Sequence, residues 1–294
     1  MIGEYDFVSN YQQEPLKEVL VFDGSSIYTD FGIFQKKYKY IIKEKKWKEE
    51  KIRKDYCSGE KLMFELDEVI YVVYKSLILN LSQNKLFLEL PTDLKRNFHK
   101  TCLFKDQLIF FSGSNEVKSR MFDIKHKSWK DLSIKLLHQQ VSAIEYLDKV
   151  WLTGGIKDYT NVYKPLDSVE VYDPITDEKT SSPIKMMQAR YEHKAVVFRQ
   201  KLFIFGGRGE STKLNTVEMF SPIANKFVMM APMKITRSWF GCCRANNLVY
   251  IVGGRDEETV FNSVEVYDLE NNTWSKGADL PCGAECVVTC AVTN

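Results

Sequence analysis

Three times in this chain a glycine pair ends a short apolar run: "KVWLTGG" at Gly154-Gly155, "KLFIFGG" at Gly206-Gly207 and "LVYIVGG" at Gly253-Gly254. Such recurrence means stacked units, so the repeat limits the fold more than any local motif does. Glycine has no Cβ and accepts φ > 0 and close backbone approach. That suits a place where a strand leaves a crowded interior and enters a loop.

The rest of the unit follows in fixed order. After the glycines come a polar loop, an apolar strand ending in an aromatic, a polar turn, and often a tryptophan seven residues beyond the aromatic. "SVEVYDLENNTW" carries Tyr267 and Trp274, "SRMFDIKHKSW" carries Phe122 and Trp129, "YKYIIKEKKW" carries Tyr40 and Trp47, and "TVEMFSPIANKF" carries Phe220 and Phe227. Leu79 with Leu86 and Tyr172 with Lys179 mark two degraded copies, which makes six copies spaced 39 to 50 residues apart.

A step of that length holds four short strands with turns. Segments such as "NLVYIVGG" and "SVEVYD" are rich in β-branched and aromatic residues bounded by Gly, Asn and Asp, and no long segment has a helical period. One four-stranded sheet cannot bury both faces, but six arranged radially cover each other. The expectation is an all-β, six-bladed propeller with four antiparallel strands per blade. Its aromatic positions would be wedges between blades. The expected blades are 16–54, 55–92, 93–135, 136–187, 188–233 and 234–281, after a lead-in of residues 1–15.

The glycine pair, "VEVYD" and the trailing Trp together resemble the kelch repeat, a propeller unit of about 50 residues. The resemblance runs from about residue 16 to residue 294. Its first unit, beginning "LKEVLVFDG", lacks the innermost strand that precedes this motif in the other units. The tail "AECVVTCAVTN" has that character, so residues 282–294 are expected to close the ring as a strand of blade one.

Composition narrows the function. A net charge of +2 on 294 residues gives no overall signal for nucleic acid or anionic membrane. The apolar runs are far shorter than the ~20 residues of a membrane-spanning helix. The N-terminus has no signal-peptide pattern. Seven cysteines without framework spacing fit reduced thiols. These features place the protein in the cytoplasm.

Catalytic motifs are lacking. His99, His126, His138 and His193 have no metal-ligand spacing, and no P-loop, G-x-S-x-G or dinucleotide fingerprint occurs. His99 and His193 hold matching places in "NFHKTCLF" and "YEHKAVVF", which favours a structural role. Cys282, Cys286 and Cys290 lack a fourth ligand, and Cys57 beside "KIRKDY" is a candidate for a perturbed thiol. No cofactor and no metal are expected. The basic "KKYKYIIKEKKWKEEKIRK" interleaves aromatics in the manner of a nucleic-acid surface, yet its aromatics fall on wedge positions and its lysines on outer strands.

In the kelch family, the loops after the glycine pairs and those leading into each inner strand converge on one face that binds partners. Carried over by position, the first set gives Arg208, Arg255 and Ile156, with Ser114 and Ser25 in weaker copies. The second set lies fourteen residues before the first glycine and gives Glu192, Trp239, Gln140 and Phe98. Arg and Trp are favoured interface anchors; the alternative is that the arginines pair with acids of their own blade. The resemblance implies a non-catalytic module that binds a protein or peptide on this loop face. In kelch-like proteins such a propeller commonly recognises substrates for a cullin-RING ubiquitin ligase behind BTB and BACK domains, which are not expected within these residues, since about fifteen precede the first blade. An actin or cytoskeletal scaffold is the alternative.

Overall fold

The computed structural model describes residues 18–292 apart from 23–26, 30–31, 42–43, 54–60, 75–76, 81–82, 84, 92–97, 113–117, 137, 160–161 and 286. The secondary structure of the described residues is β throughout, and no helix is long and apolar enough to cross a membrane.

The N-terminal sheet contains β1 (Glu18–Phe22), β2 (Ile27–Thr29), β3 (Gly32–Ile41) and β4 (Lys46–Arg53). The second has β5 (Lys61–Leu66), β6 (Val69–Tyr74), β7 (Leu77–Asn80) and β8 (Lys85–Glu89), and the third β9 (Phe98–Phe104), β10 (Gln107–Ser112), β11 (Ser119–Asp123) and β12 (Ser128–Leu132). In the fourth, β13 (Ser142–Tyr146) and β14 (Lys149–Thr153) are followed by a separate hairpin, β15 (Ile156–Tyr159) and β16 (Val162–Pro165), before β17 (Ser168–Asp173) and β18 (Glu178–Lys185). The fifth has β19 (Lys194–Phe198), β20 (Lys201–Phe205), β21 (Val217–Ser221) and β22 (Lys226–Met230). The sixth has β23 (Gly241–Ala245), β24 (Leu248–Val252), β25 (Val264–Asp268) and β26 (Thr273–Lys276), and β27 (Val288–Val292) ends the chain.

Five of these sheets are four-stranded antiparallel blades, and the chain is an all-β propeller. The N-terminal sheet departs from the expected four strands. It has five, because the short β2 folds back on the far half of the long β3 while β27 pairs with β1, Glu18 opposite Val292 and Phe22 opposite Val288. A second departure is the β15–β16 hairpin, which replaces the polar loop expected after Gly155 and accounts for the longest repeat step.

The aromatic positions meet across strands. Tyr40 is opposite Trp47, Leu79 opposite Leu86, Phe122 opposite Trp129, Tyr172 opposite Lys179, Phe220 opposite Phe227 and Tyr267 opposite Trp274. In the strong copies the rings touch, with centroids 4.7 Å apart for Phe122–Trp129 and 4.8 Å for Tyr267–Trp274. Leu86 is not a wedge, since it is largely exposed. The core is a series of layers between sheets. One layer joins Phe203, Phe205 and Val217 of the fifth sheet to Val249, Ile251 and Tyr267 of the sixth. Another joins Tyr250, Val252 and Val264 of the sixth to Val287 and to Trp47 of the first. The Trp274 indole donates to the Ala231 carbonyl of the preceding sheet at 2.8 Å, and Trp47 donates to Ala278 at 2.7 Å, across 231 residues of chain.

The glycine pairs have the expected left-handed φ, for example +51° and +92° at Gly206 and Gly207. At Gly254 a Cβ would lie 2.8 Å from the Ser238 carbonyl, while the backbone N–H donates to Ala284 at 2.7 Å. Gly155 and Gly207 make the same bond to Arg190 and Arg237 of the next sheet. The second glycine therefore docks each unit on the segment leading into the following inner strand.

Candidate functional site

Within each of the last three sheets, the residue after the glycine pair forms a two-bond bridge to the loop leading into that sheet's inner strand. The bridges are Gln139 with Ile156, Tyr191 with Arg208, and Ser238 with Arg255. The next residue, Gln140, Glu192 or Trp239, then takes positive φ of 56°, 55° and 57°. This local frame holds the two loops of each of these sheets side by side. Because the backbone bridge fixes the frame, the side chains on it are free to vary in chemistry.

Arg208, Trp239 and Arg255 come together around a cavity of about 220 Å³ at the junction of the fifth and sixth sheets, completed by Lys213, Ser238 and Glu257. The Arg255 guanidinium lies over the Trp239 ring, 6.0 Å from its centroid, and pairs with Glu285 at 3.3 Å. Arg208 approaches Glu257 at 3.7 Å, and the nearly buried Lys213 meets the same carboxylate at 3.3 Å. Both arginines thus have acidic neighbours within the chain, yet each stays partly exposed, as does Trp239 at 39%.

Glu192 differs from the solvent-facing residue expected of a binding loop. One of its carboxyl oxygens is buried without a hydrogen-bond partner, and so is the hydroxyl of Ser238. Burial pushes the Glu192 carboxyl above its usual range, against the pull of Ser238, Trp239, Arg208 and Lys213 beside it. Gln140 is exposed and sits one sheet away, joined to this group through its carbonyl, which accepts from Glu192 N–H at 3.4 Å. Ile156 is buried and serves the bridge. Ser25 and Ser114 lie outside the described residues, as does the side chain of Phe98.

Sequence reasoning missed three cavity residues, and one had a signal. Arg208 bridges to Lys213 where Arg255 bridges to Val260, so a lysine replaces an apolar residue at one repeat position. It also missed a pair of structural arginines. Arg190 and Arg237 are wholly buried and pair with Glu218 and Glu265. Each also donates to the carbonyl of the first glycine, Gly206 or Gly253, while the glutamate accepts two backbone N–H groups. The 28-residue Arg-to-Glu spacing is identical in both copies and was visible in the sequence.

His193 is buried with one ring nitrogen 2.9 Å from the Thr153 hydroxyl of the preceding sheet, and its pKa is held well below normal, first by burial and then by Arg190. Burial also pushes the thiols of Cys102, Cys242 and Cys243 up to about 12, which suppresses thiolate chemistry. Cys57 and Cys286 lie outside the described residues. Among the described residues no group of three or more His, Cys, Asp or Glu is placed to hold a metal ion.

Known proteins resemble the chain in the same terms. Residues 98–285, more than half of it, match the KLHDC2/KLHL20/DRC7 Kelch-repeats domain. Kelch-like protein 25 of Xenopus tropicalis is 27% identical over 187 residues, covering 59% of this chain and 31% of that protein. Kelch-like protein 7 of Rattus norvegicus is 27% identical over 109 residues, 37% of this chain and 18% of the relative. The chain therefore spans less than a third of the length of these relatives. The solved structure of YjhT superposes with a TM-score of 0.56 at 13% identity, covering 64% of this chain and 68% of that one, a likeness of fold. With its glycine-paired, four-stranded antiparallel blades, the chain belongs to the KLHDC2/KLHL20/DRC7 Kelch-repeats domain family.

Proposed function

We propose that the chain is a closed six-bladed ring in which the N-terminal sheet, completed by β27, is the sixth blade. In this reading the loop face captures a short acidic or mixed-charge segment of another protein. The observation that carries it is the convergence of Arg208, Lys213, Arg255 and Trp239 on one cavity. Guanidinium groups recognise carboxylates through directed hydrogen bonds, and a half-exposed indole adds contact area at little entropic cost. No step of chemistry is assigned to the site.

The biological role proposed is substrate recognition for a cullin-RING ubiquitin ligase in the cytoplasm. Support comes from the similarity to Kelch-like proteins 25 and 7. Ligase recruitment would then fall to BTB and BACK domains outside the propeller. The test is affinity capture from lysate on the wild-type chain against an Arg208→Glu/Arg255→Glu/Trp239→Ala variant of equal melting temperature. Partners lost only from the variant support recognition on the loop face. Partners retained by both refute it and move recognition to the blade edges, where filament cosedimentation would test an actin-binding role.

A further inference from the structure

The cavity between the fifth and sixth sheets is partly filled from within. Glu257 belongs to the loop joining β24 to β25, and its side chain is 61% exposed. Its carboxylate crosses to the neighbouring sheet to meet Lys213 and Arg208. The two partners are unequal. The Lys213 side chain is only 5% exposed, and a buried ammonium needs an anion beside it. The glutamate reaches in from solvent, and only another anion can take its place beside Lys213 at little cost.

Of the other cavity groups, Arg255 donates to the Glu257 backbone carbonyl at 3.5 Å. Ser238 is almost fully buried and lines the cavity, its shielded hydroxyl set beside the Glu192 carboxyl. The Trp239 ring stays 39% exposed with the Arg255 guanidinium over part of it.

We propose that Glu257 is an internal occupant of an anion subsite, holding the place that a partner's carboxylate takes and thereby setting which acidic segments the cavity accepts. This rests on the acidic-segment reading of the loop face. Exchange of one carboxylate for another leaves the charge on Lys213 and Arg208 compensated throughout. Only the incoming ligand gains contact with the exposed part of the Trp239 ring. Segments that offer a carboxylate alone merely match Glu257, whereas those that also present an apolar group to Trp239 displace it.

The experiment uses the full chain and an acetylated, amidated nine-residue peptide with alternating glutamates, compared with its glutamine counterpart, by fluorescence anisotropy at low salt. Glu257→Gln is expected to tighten the glutamate peptide about threefold to fivefold, the weight of an exposed ion pair. Arg208→Ala should abolish binding in both backgrounds, and the glutamine peptide should not respond. Glu257→Asp keeps the charge but shortens the reach, and should fall between wild type and Glu257→Gln, which guards against a folding defect in the neutral variant. Arg208-dependent binding of the glutamate peptide that is equal or weaker in Glu257→Gln overturns the internal occupant while leaving the acidic-segment reading standing. Absence of glutamate-peptide binding in every variant overturns both.

Discussion

Arg237→Ala separates the arginines that hold this propeller together from those on its loop face. The Arg237 guanidinium is inaccessible and donates to the Gly253 carbonyl at 2.7 Å, the Ser263 carbonyl at 3.2 Å, the Ser263 hydroxyl at 3.0 Å and Glu265 at 2.8 Å. Alanine leaves the Glu265 carboxylate buried with two backbone N–H donors and no counter-charge. Removing one partner of a buried pair costs about 3–5 kcal/mol. With a urea slope of about 3 kcal/mol/M, the unfolding midpoint should fall by at least ~1 M. Arg255→Ala breaks partly exposed contacts, to Glu285, to the Asp256 and Glu257 carbonyls and to the Trp239 ring, and should cost about 1 kcal/mol. Pairing Arg237→Ala with Glu265→Gln should restore part of the loss, since the amide oxygen still accepts a backbone N–H without the orphaned charge. Urea titrations followed by tryptophan fluorescence read all four proteins at once. A loss below ~1 kcal/mol in Arg237→Ala, or equal losses for Arg237→Ala and Arg255→Ala, would refute the division.

Two further outcomes follow from the same geometry. Gly254→Ala places a Cβ 2.8 Å from the Ser238 carbonyl at φ +86° and should cost about 1–3 kcal/mol or more, whereas Gly209→Ala meets nothing nearer than 3.4 Å and should stay within about 1 kcal/mol; thermal melts giving equal losses would discount the close approach. His193 is held neutral in the folded chain, so as pH falls below the ordinary 6.5 the unfolded chain takes up a proton that the folded chain refuses. Stability should drop with acidification until the lower folded pKa is reached; the slope of melting temperature between pH 7 and 5 should flatten in His193→Gln, and an unchanged slope would exclude His193 as its source.

Backbone requirements were the most legible part of the sequence. A glycine pair is forced where φ is positive and a carbonyl lies within 3 Å of the missing Cβ, so its spacing showed directly. The Phe122–Trp129 and Tyr267–Trp274 pairs were visible because hairpin register is strict and a wedge must be large. The β15–β16 hairpin was not, because "IKDYTNVYKP" is as polar as a loop and its strands pair with each other outside the blade. Buried charge was overlooked for another reason. Arg190 and Arg237 resemble surface residues by type, and only their shared 28-residue offset to Glu218 and Glu265 distinguishes them. The cavity was legible where the repeat carried it, at Arg208, Trp239 and Arg255. Glu257 and Lys213 escaped because they come from loops whose positions depend on the neighbouring blade.

Trp239 shows how a fixed frame and a variable surface meet in one residue. Its φ of +57° is imposed by the bridge between Ser238 and Arg255, just as Glu192 and Gln140 are held by theirs. An L-residue in that region costs about 1–2 kcal/mol, which glycine would avoid. Elsewhere among the described residues, positive φ falls mostly on Asn, Asp, Lys, Glu, Gln or Arg, many of them in hairpin turns, and Trp239 is the one aromatic. The ring stays 39% exposed while the adjacent Phe240 fills the core. Within the chain the ring has the Arg255 guanidinium over it, and its remaining surface is free for the acidic segment proposed as the ligand. That argument supports Trp239 as the contact surface of the cavity, with the two arginines and Lys213 setting the charge of what lies against it.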